Sequence, residues 1–229
     1  MFHTFIDMVR TRAVRALPAQ LVAQVRKYRR RELMDAYLGA GLVFLHVPRT
    51  AGTSISSALY GMQVNHFPVR EMLPLMSDLL LALPRFAIVR NPWDRAVSAW
   101  SFARNGGGTD GKVILRSPLR YRGPEFQTFE QFVHDWLSQK ALGQFDGIFR
   151  PQADFLLDQN GKLPLDHLGR FENLPATEAW LNQHNPAMRA IPHFNAAVRE
   201  PYRNHYTPAS RDAVAKVYAR DIELFGYDF

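Results

Sequence analysis

The sequence predicts an α/β fold of three layers, α/β/α, around a central, mainly parallel sheet. Three observations predict it. The run Leu42-Val43-Phe44-Leu45-His46-Val47 is almost wholly apolar, as a parallel strand covered on both faces must be. It stops at Pro48 and passes through Gly52, Thr53 and Ser54 into a helical pattern. A second unit of the same kind follows, with Arg85-Phe86-Ala87-Ile88-Val89-Arg90 as the strand and Asn91-Pro92-Trp93-Asp94 as the turn.

Composition sets the frame. A chain of 229 residues with 47% hydrophobic and 12% aromatic side chains is long enough for one well-buried core and is not disordered. Cysteine is absent, which excludes disulfides and thiolate metal sites and suits a reducing compartment. The sequence shows no apolar stretch of the roughly 18 residues that span a bilayer and no signal-peptide pattern, so a cytoplasmic location is expected. Net charge is +7, and residues 1–31 hold it, with eight basic side chains against Asp7; the rest of the chain carries twenty of each sign.

The elements follow in order. Residues 1–40 form a basic helical extension, and 41–229 form one domain. Phe2, Phe5, Ile6, Val9, Ala13 and Leu17 share one helical face before Pro18. That face either lies on an anionic membrane surface or packs on the domain or a second subunit. After the first strand, Thr53 or Ser54 caps a helix running through Ile55 to Leu59. After the second, Pro92 and Asp94 suit a helix start, and Arg95 to Ala103 continue it.

Four glycines among residues 105–111 make a flexible loop, not a domain linker. Thr128 and Gln131 form a capping-box pattern ahead of Phe129, Phe132, Val133 and Trp136. Asn160-Gly161-Lys162 reads as a turn and Leu163 to Phe171 as a further strand. Thr207 and Pro208 open a final helix carrying Val214, Val217, Tyr218, Ile222 and Phe225, closed by Gly226.

The chemistry is that of an anion site. Free N–H groups at a helix start, the positive end of its dipole, the hydroxyls of Thr50, Thr53 and Ser54 and the Arg49 guanidinium converge on one loop. Gly52 admits a close backbone approach. The general G-x-x-x-x-G-K-[ST] pattern is not met, which disfavours an ordinary nucleotide triphosphatase. Arg90, at the end of its strand, and Ser98, one helical turn in, reach for a second phosphate.

These residues carry a resemblance. His46-Val47-Pro48-Arg49-Thr50-Ala51-Gly52-Thr53-Ser54 resembles the 5′-phosphosulfate loop of the carbohydrate-type ("family 2") sulfotransferases, and Val89 to Trp100 resembles their 3′-phosphate motif. The similarity continues through Pro151-Gln152-Ala153-Asp154, Gly169 to Leu174 and Tyr218 to Tyr227, so it covers about residues 41–229. It implies a P-loop-like strand–loop–helix and transfer of a sulfuryl group from 3′-phosphoadenosine 5′-phosphosulfate (PAPS) to an acceptor hydroxyl or amine. The product is adenosine 3′,5′-bisphosphate, and the acceptor is a glycan, lipid or small alcohol. It implies Arg49, Thr50, Ala51, Gly52, Thr53 and Ser54 on the phosphosulfate, and Arg90, Ser98 and Arg203 on the 3′-phosphate.

One departure is plain. The family usually has Lys where this chain has Arg49. Arg neutralises charge on the leaving oxygen, but its fork is wider than an ammonium and gives up no proton.

Acceptor activation needs a base, and His66 lies between the two motifs, where family members tend to carry a histidine base. Glu71 is its carboxylate substitute. His46 sits within an apolar strand and is expected to bond a backbone group. His193 and His205 flank Pro201-Tyr202-Arg203, a loop that would arrive over the nucleotide. Glu172 is expected to hold a loop arginine, Asp94 to serve as a helix-start charge, and Trp93 and Trp100 to pack the core. Lys112, Arg116, Arg120 and Arg122 line an acceptor region of weakly anionic taste. No metal ligand set is seen and no nucleic-acid partner is expected. Two other readings stay open: a small-molecule kinase on the same fold, and a non-catalytic nucleotide-fold protein at a membrane.

Overall fold

The computed structural model describes residues 19–108, 115, 117–188, 191 and 200–229. The amphipathic pattern from Phe2 to Leu17, the end of the Gly-rich loop at 109–111, Lys112, Arg116 and His193 lie outside the described residues.

Three strands form one parallel sheet in the order β1 (Val43–Leu45), β2 (Arg85–Val89), β3 (His167–Arg170). Val43 lies opposite Arg85 and Leu45 opposite Ala87, while Phe86 faces His167 and Val89 faces Arg170. Successive strand residues point to opposite faces, and Val43 to Leu45 and Phe86 to Val89 are all buried, so both faces of the sheet are covered. The α/β class read from the sequence is the class observed.

The third strand is shorter than Leu163 to Phe171. Its pairing starts where β2 starts: the Asp166 amide donates to the Arg85 carbonyl at 2.8 Å, and Asp166 Oδ2 accepts from the Arg85 amide at 2.7 Å. Leu163 to Leu165 precede that point and have no strand beside them among the described residues.

Helix α1 (Ala19–Ala40) leads into β1. It docks through buried Leu33 and Tyr37, and the Tyr37 hydroxyl donates to the Phe44 carbonyl at 2.9 Å. Helix α2 (Gly52–Tyr60) follows β1 and α3 (Pro92–Arg104) follows β2. Asn91 caps α3, its side chain accepting from the Trp93 amide at 3.0 Å, so the Pro92 start holds. Helix α4 (Leu174–His184) packs so close to β3 that a Cβ on Gly169 would fall on the Thr177 side chain.

Capping boxes stand at Thr128/Gln131 and Thr207/Ser210. Beyond the first, the chain makes one α turn and then a π turn over Phe132–Trp136. The final helix, expected to be continuous, breaks at Tyr218 into α5 (Pro208–Val217) and α6 (Ala219–Phe225). Tyr218 leaves helical geometry at ψ 25°, and its buried hydroxyl donates to the Phe149 carbonyl at 2.8 Å. Gly226 closes α6 in the left-handed region, φ 60°.

The apolar interior has two parts. One surrounds the sheet. The other gathers Trp93, Trp100, Phe126, Phe132, Trp136 and Phe149 between α3 and α5, which is the packing role expected of Trp93 and Trp100. No described helix is long and apolar enough to cross a membrane.

Candidate functional site

The parallel register brings the carboxyl ends of β1 and β2 side by side, the edge at which open α/β sheets bind ligands. The loop after β1 is held in an unusual shape. Arg49 and Ala51 both lie in the left-handed region, at φ 72° and 63°, although neither is glycine. Such residues cost about 1–3 kcal/mol each and persist where their surroundings over-determine them.

The surroundings here are specific. Thr50 Oγ1 donates to the Val47 carbonyl at 2.9 Å, Arg95 Nε to the Pro48 carbonyl at 3.0 Å and Arg90 Nη1 to the Arg49 carbonyl at 3.2 Å. Three successive carbonyls are thus engaged by protein donors. The amides of Thr50, Ala51, Gly52 and Thr53 meet no acceptor among the described residues, which leaves the loop an N–H-lined concavity at the start of a helix.

The cap expected from Thr53 or Ser54 is absent. Helix α2 begins earlier, at Gly52, because left-handed Ala51 takes the cap position and its carbonyl accepts from the Ser54 and Ile55 amides. Thr53 and Ser54 therefore sit inside the first turn. Thr50 is buried and its hydroxyl turned inward, so only its amide faces the loop.

Arg90, the residue after β2, has its charge already matched. Nε and Nη2 donate to the two Asp94 oxygens at 2.7 and 2.8 Å, and the guanidinium lies 4.1 Å from the Phe171 ring centre. Asp94 is therefore more than a helix-start charge. Buried Gln152 clamps the Arg90 backbone, accepting from its amide at 2.9 Å and donating to its carbonyl at 2.8 Å. The amides of Gln152 and Ala153 in turn donate to the two oxygens of buried Asp221 at 2.7 and 2.8 Å.

Glu172 accepts from the Asn91 amide at 2.6 Å and from the Tyr227 hydroxyl at 3.0 Å. It holds the loop backbone, not the arginine expected. The stretches at 151–154, 170–174 and 218–228 thus converge on Arg90 and Asn91.

Arg49 and Ser98, assigned by the sequence to different phosphates, meet directly: Nε and Nη2 donate to Ser98 Oγ at 3.1 and 2.9 Å. The Arg49 guanidinium also lies 4.3 Å from the Phe102 ring centre. Arg203 stands apart from this contact, exposed, above the rings of Tyr202 and Phe229 at 5.0 and 5.5 Å.

His66 is brought to the phosphate loop. Its Nδ1 lies 3.3 Å from the His46 carbonyl, and the two imidazoles are 4.0 Å apart. A carbonyl only accepts, so Nδ1 carries the proton and Nε2 keeps its lone pair. One side of the ring is open to solvent, while dense protein on the others and the charges of Arg95 and Arg49 lower its pKa to about 4. The consequence is a neutral imidazole at neutral pH. His46 is fully enclosed; burial holds its pKa well below the usual 6.5, and Nδ1 bonds the Val64 carbonyl at 2.8 Å, the backbone contact expected of it. Glu71 lies exposed on the next helical turn, and His205 pairs with Glu200 at 3.8 Å.

Sequence reasoning missed Arg95, Gln152 and Asp221. Arg95 is buried, with Nη2 bonded to nothing among the described residues, and burial lowers its pKa while Tyr218 and Asp221 oppose the shift. Its only signal was its position, three residues before Ser98 on the helix face that meets the loop. Two surface clefts, of about 270 and 640 Å³, lie elsewhere, lined by Glu125 and Trp136 and by His134 and Lys216 respectively. We assign the chemistry to the strand-end loops because the charge and the open amides are there.

The two strand-end loops are thus bonded into one face that carries open amides and guanidinium groups. The model of the sulfotransferase family matches residues 39–228, so the chain belongs to that family. No match was found among curated proteins or among solved structures.

Proposed function

We propose that the protein transfers a sulfuryl group from PAPS to a hydroxyl or amine of an acceptor, a carbohydrate or glycoconjugate. The observation that carries the reading is the joining of the two loops: Arg49 bonds Ser98, and Arg90 bonds the Arg49 carbonyl, which supports one face taking two anions. A nucleotide with phosphates at both its 3′ and 5′ ends fits such a face.

In this reading the amides of residues 50–53, with Thr53 and Ser54, hold the 5′-phosphosulfate. Arg90, Ser98 and Arg203 hold the 3′-phosphate. PAPS supplies a sulfuryl group already activated on a phosphate leaving group. Arg49 neutralises the charge that develops on the bridging oxygen. His66 Nε2 takes the acceptor proton as the acceptor oxygen or nitrogen bonds sulfur and the sulfur–oxygen bond to phosphate breaks, which leaves adenosine 3′,5′-bisphosphate. The left-handed backbone at Arg49 and Ala51 supports the donor assignment, because it pre-forms the amide concavity before any ligand arrives.

The absence of cysteine favours action in the cytoplasm, and the basic residues among 1–31 favour peripheral contact with an anionic membrane. The direct experiment is an acceptor screen with sulfur-radiolabelled PAPS. Label carried onto a glycan or glycoconjugate supports the reading; no transfer to any hydroxyl or amine acceptor, with adenosine 3′,5′-bisphosphate failing to bind, removes it.

A further inference from the structure

We infer that His46 is a positioning residue that couples the anion loop to His66: its ring fills the space beside Gly52, its Nδ1–H grips the connection at Val64, and its carbonyl orients the His66 imidazole. The role of His66 as base rests on the sulfuryl-transfer reading; the coupling itself rests on geometry.

A strand end buried on all sides would be served for packing by valine or leucine, as at its neighbours Leu45 and Val47. An imidazole there needs partners, and three contacts use it. A Cβ placed on Gly52 would fall on the ring atoms Nε2, Cδ2 and Cε1 of His46, so the glycine exists for the imidazole and not only for a ligand. Gly52 is the first residue of α2, whose amides line the concavity. On the other side, Nδ1 lies 2.8 Å from the Val64 carbonyl, two residues before His66. Phe44 stacks on the ring at 5.1 Å and fixes its plane.

The chain of contact therefore runs from the anion loop through Gly52 to the imidazole, and from there to the tautomer and position of His66. An anion that fixes Gly52 fixes the base. Burial is the chief cause that holds the His66 pKa low, the guanidinium groups of Arg95 and Arg49 add to it, and the bond to the His46 carbonyl opposes them.

The test is the titration of His66, followed by NMR of isotope-labelled histidine in the wild type, His46→Phe and His46→Asn. Phe keeps the ring volume and loses the bond to Val64; the Asn amide nitrogen can stand where Nδ1 stood. The wild-type ring should be the neutral Nδ1–H tautomer down to about pH 4. In His46→Phe its titration should rise by about one unit or more towards the ordinary histidine range, and the acidic limb of turnover should move with it. Affinity for adenosine 3′,5′-bisphosphate should stay within about threefold. His46→Asn should return the titration towards the wild type, which a role in packing alone would not produce.

An unchanged His66 titration in His46→Phe, or His46→Asn behaving as His46→Phe does, overturns the inference. Should His46→Phe fail to fold, Gly52→Ala presses on the ring from the opposite side and must also raise the titration; no rise there overturns it too. If the wild type does not bind adenosine 3′,5′-bisphosphate, the donor reading falls while the titration still decides the role of His46.

Discussion

Arg49 donates two hydrogen bonds to Ser98 Oγ, at 3.1 and 2.9 Å, across forty-nine positions of sequence. The contact ties the loop after β1 to the helix after β2, and it gives the arginine a job that lysine does differently. A single ammonium cannot place two donors on one hydroxyl and stand over the Phe102 ring as well. The departure from the family lysine thus comes with its own support.

Arg49→Ala should lower turnover about a hundredfold or more, as removal of one oxyanion-type donor does. The loss should be uniform at neutral and higher pH, while the acidic limb should move up, because Arg49 is one of the charges that hold the His66 pKa low. Arg49→Lys restores the family residue and should match or exceed wild-type turnover. Steady-state kinetics on the three proteins across pH checks this.

Arg90→Ala should weaken binding of adenosine 3′,5′-bisphosphate at least about tenfold, because charge-assisted hydrogen bonds contribute about 1.5–3 kcal/mol. Asp94→Asn should act through stability instead. The pair is largely shielded, with side-chain exposures of 6% and 23%, and breaking a buried pair costs about 3 kcal/mol. A bound phosphate would replace the missing charge, so the ligand should raise the melting temperature of Asp94→Asn by more than it raises that of the wild type.

Gln152→Ala should destabilise the protein by about 2–4 kcal/mol, since it strands the buried amide and carbonyl of Arg90. Gln152→Glu should be worse than conservative: its carboxylate accepts from the Arg90 amide and faces the Arg90 carbonyl with no donor. Chemical denaturation of both variants measures the order.

Stability should fall as pH is lowered below about 6.5. Both His46 and His66 have folded pKa values below the ordinary histidine value, so the unfolded chain binds more protons in the window from about 6.5 down to about 4. Each imidazole then contributes a slope of up to about 1.4 kcal/mol per pH unit, less for His66 with its open side. Asp221 works in the opposite sense at the acid end, because burial raises its pKa above 3.8 and favours the protonated folded form. Denaturation midpoints at a series of pH values test the sign: a flat profile between pH 4 and 6.5 would show that the two histidines are not held neutral.

Much of this was legible in the sequence because local chemistry dictated it. The apolar runs at Leu42–Val47 and Phe86–Val89 had no solvent face, and Asn91-Pro92 and Thr207-Pro208 are helix starts by side-chain capping and fixed φ. The start of α2 was not legible, since nothing in Ala51 announces a left-handed residue; the strain there is held by Thr50 within the loop and by Arg90 and Arg95 from outside it. The same holds for Gln152 and Asp221, whose partners lie 62 and 69 positions away. Gly52 was read as room for a ligand, and only the packing of His46 revealed the second reason for it.

The account stands most directly on calorimetry with adenosine 3′,5′-bisphosphate in the absence of magnesium, with adenosine triphosphate and magnesium as the comparison. The sulfotransferase reading predicts binding of the bisphosphate without metal, lost in Arg90→Ala, and no competition from the triphosphate with magnesium. No binding of the bisphosphate, together with magnesium-dependent binding of the triphosphate, would contradict the sulfotransferase reading of the site and favour phosphoryl transfer.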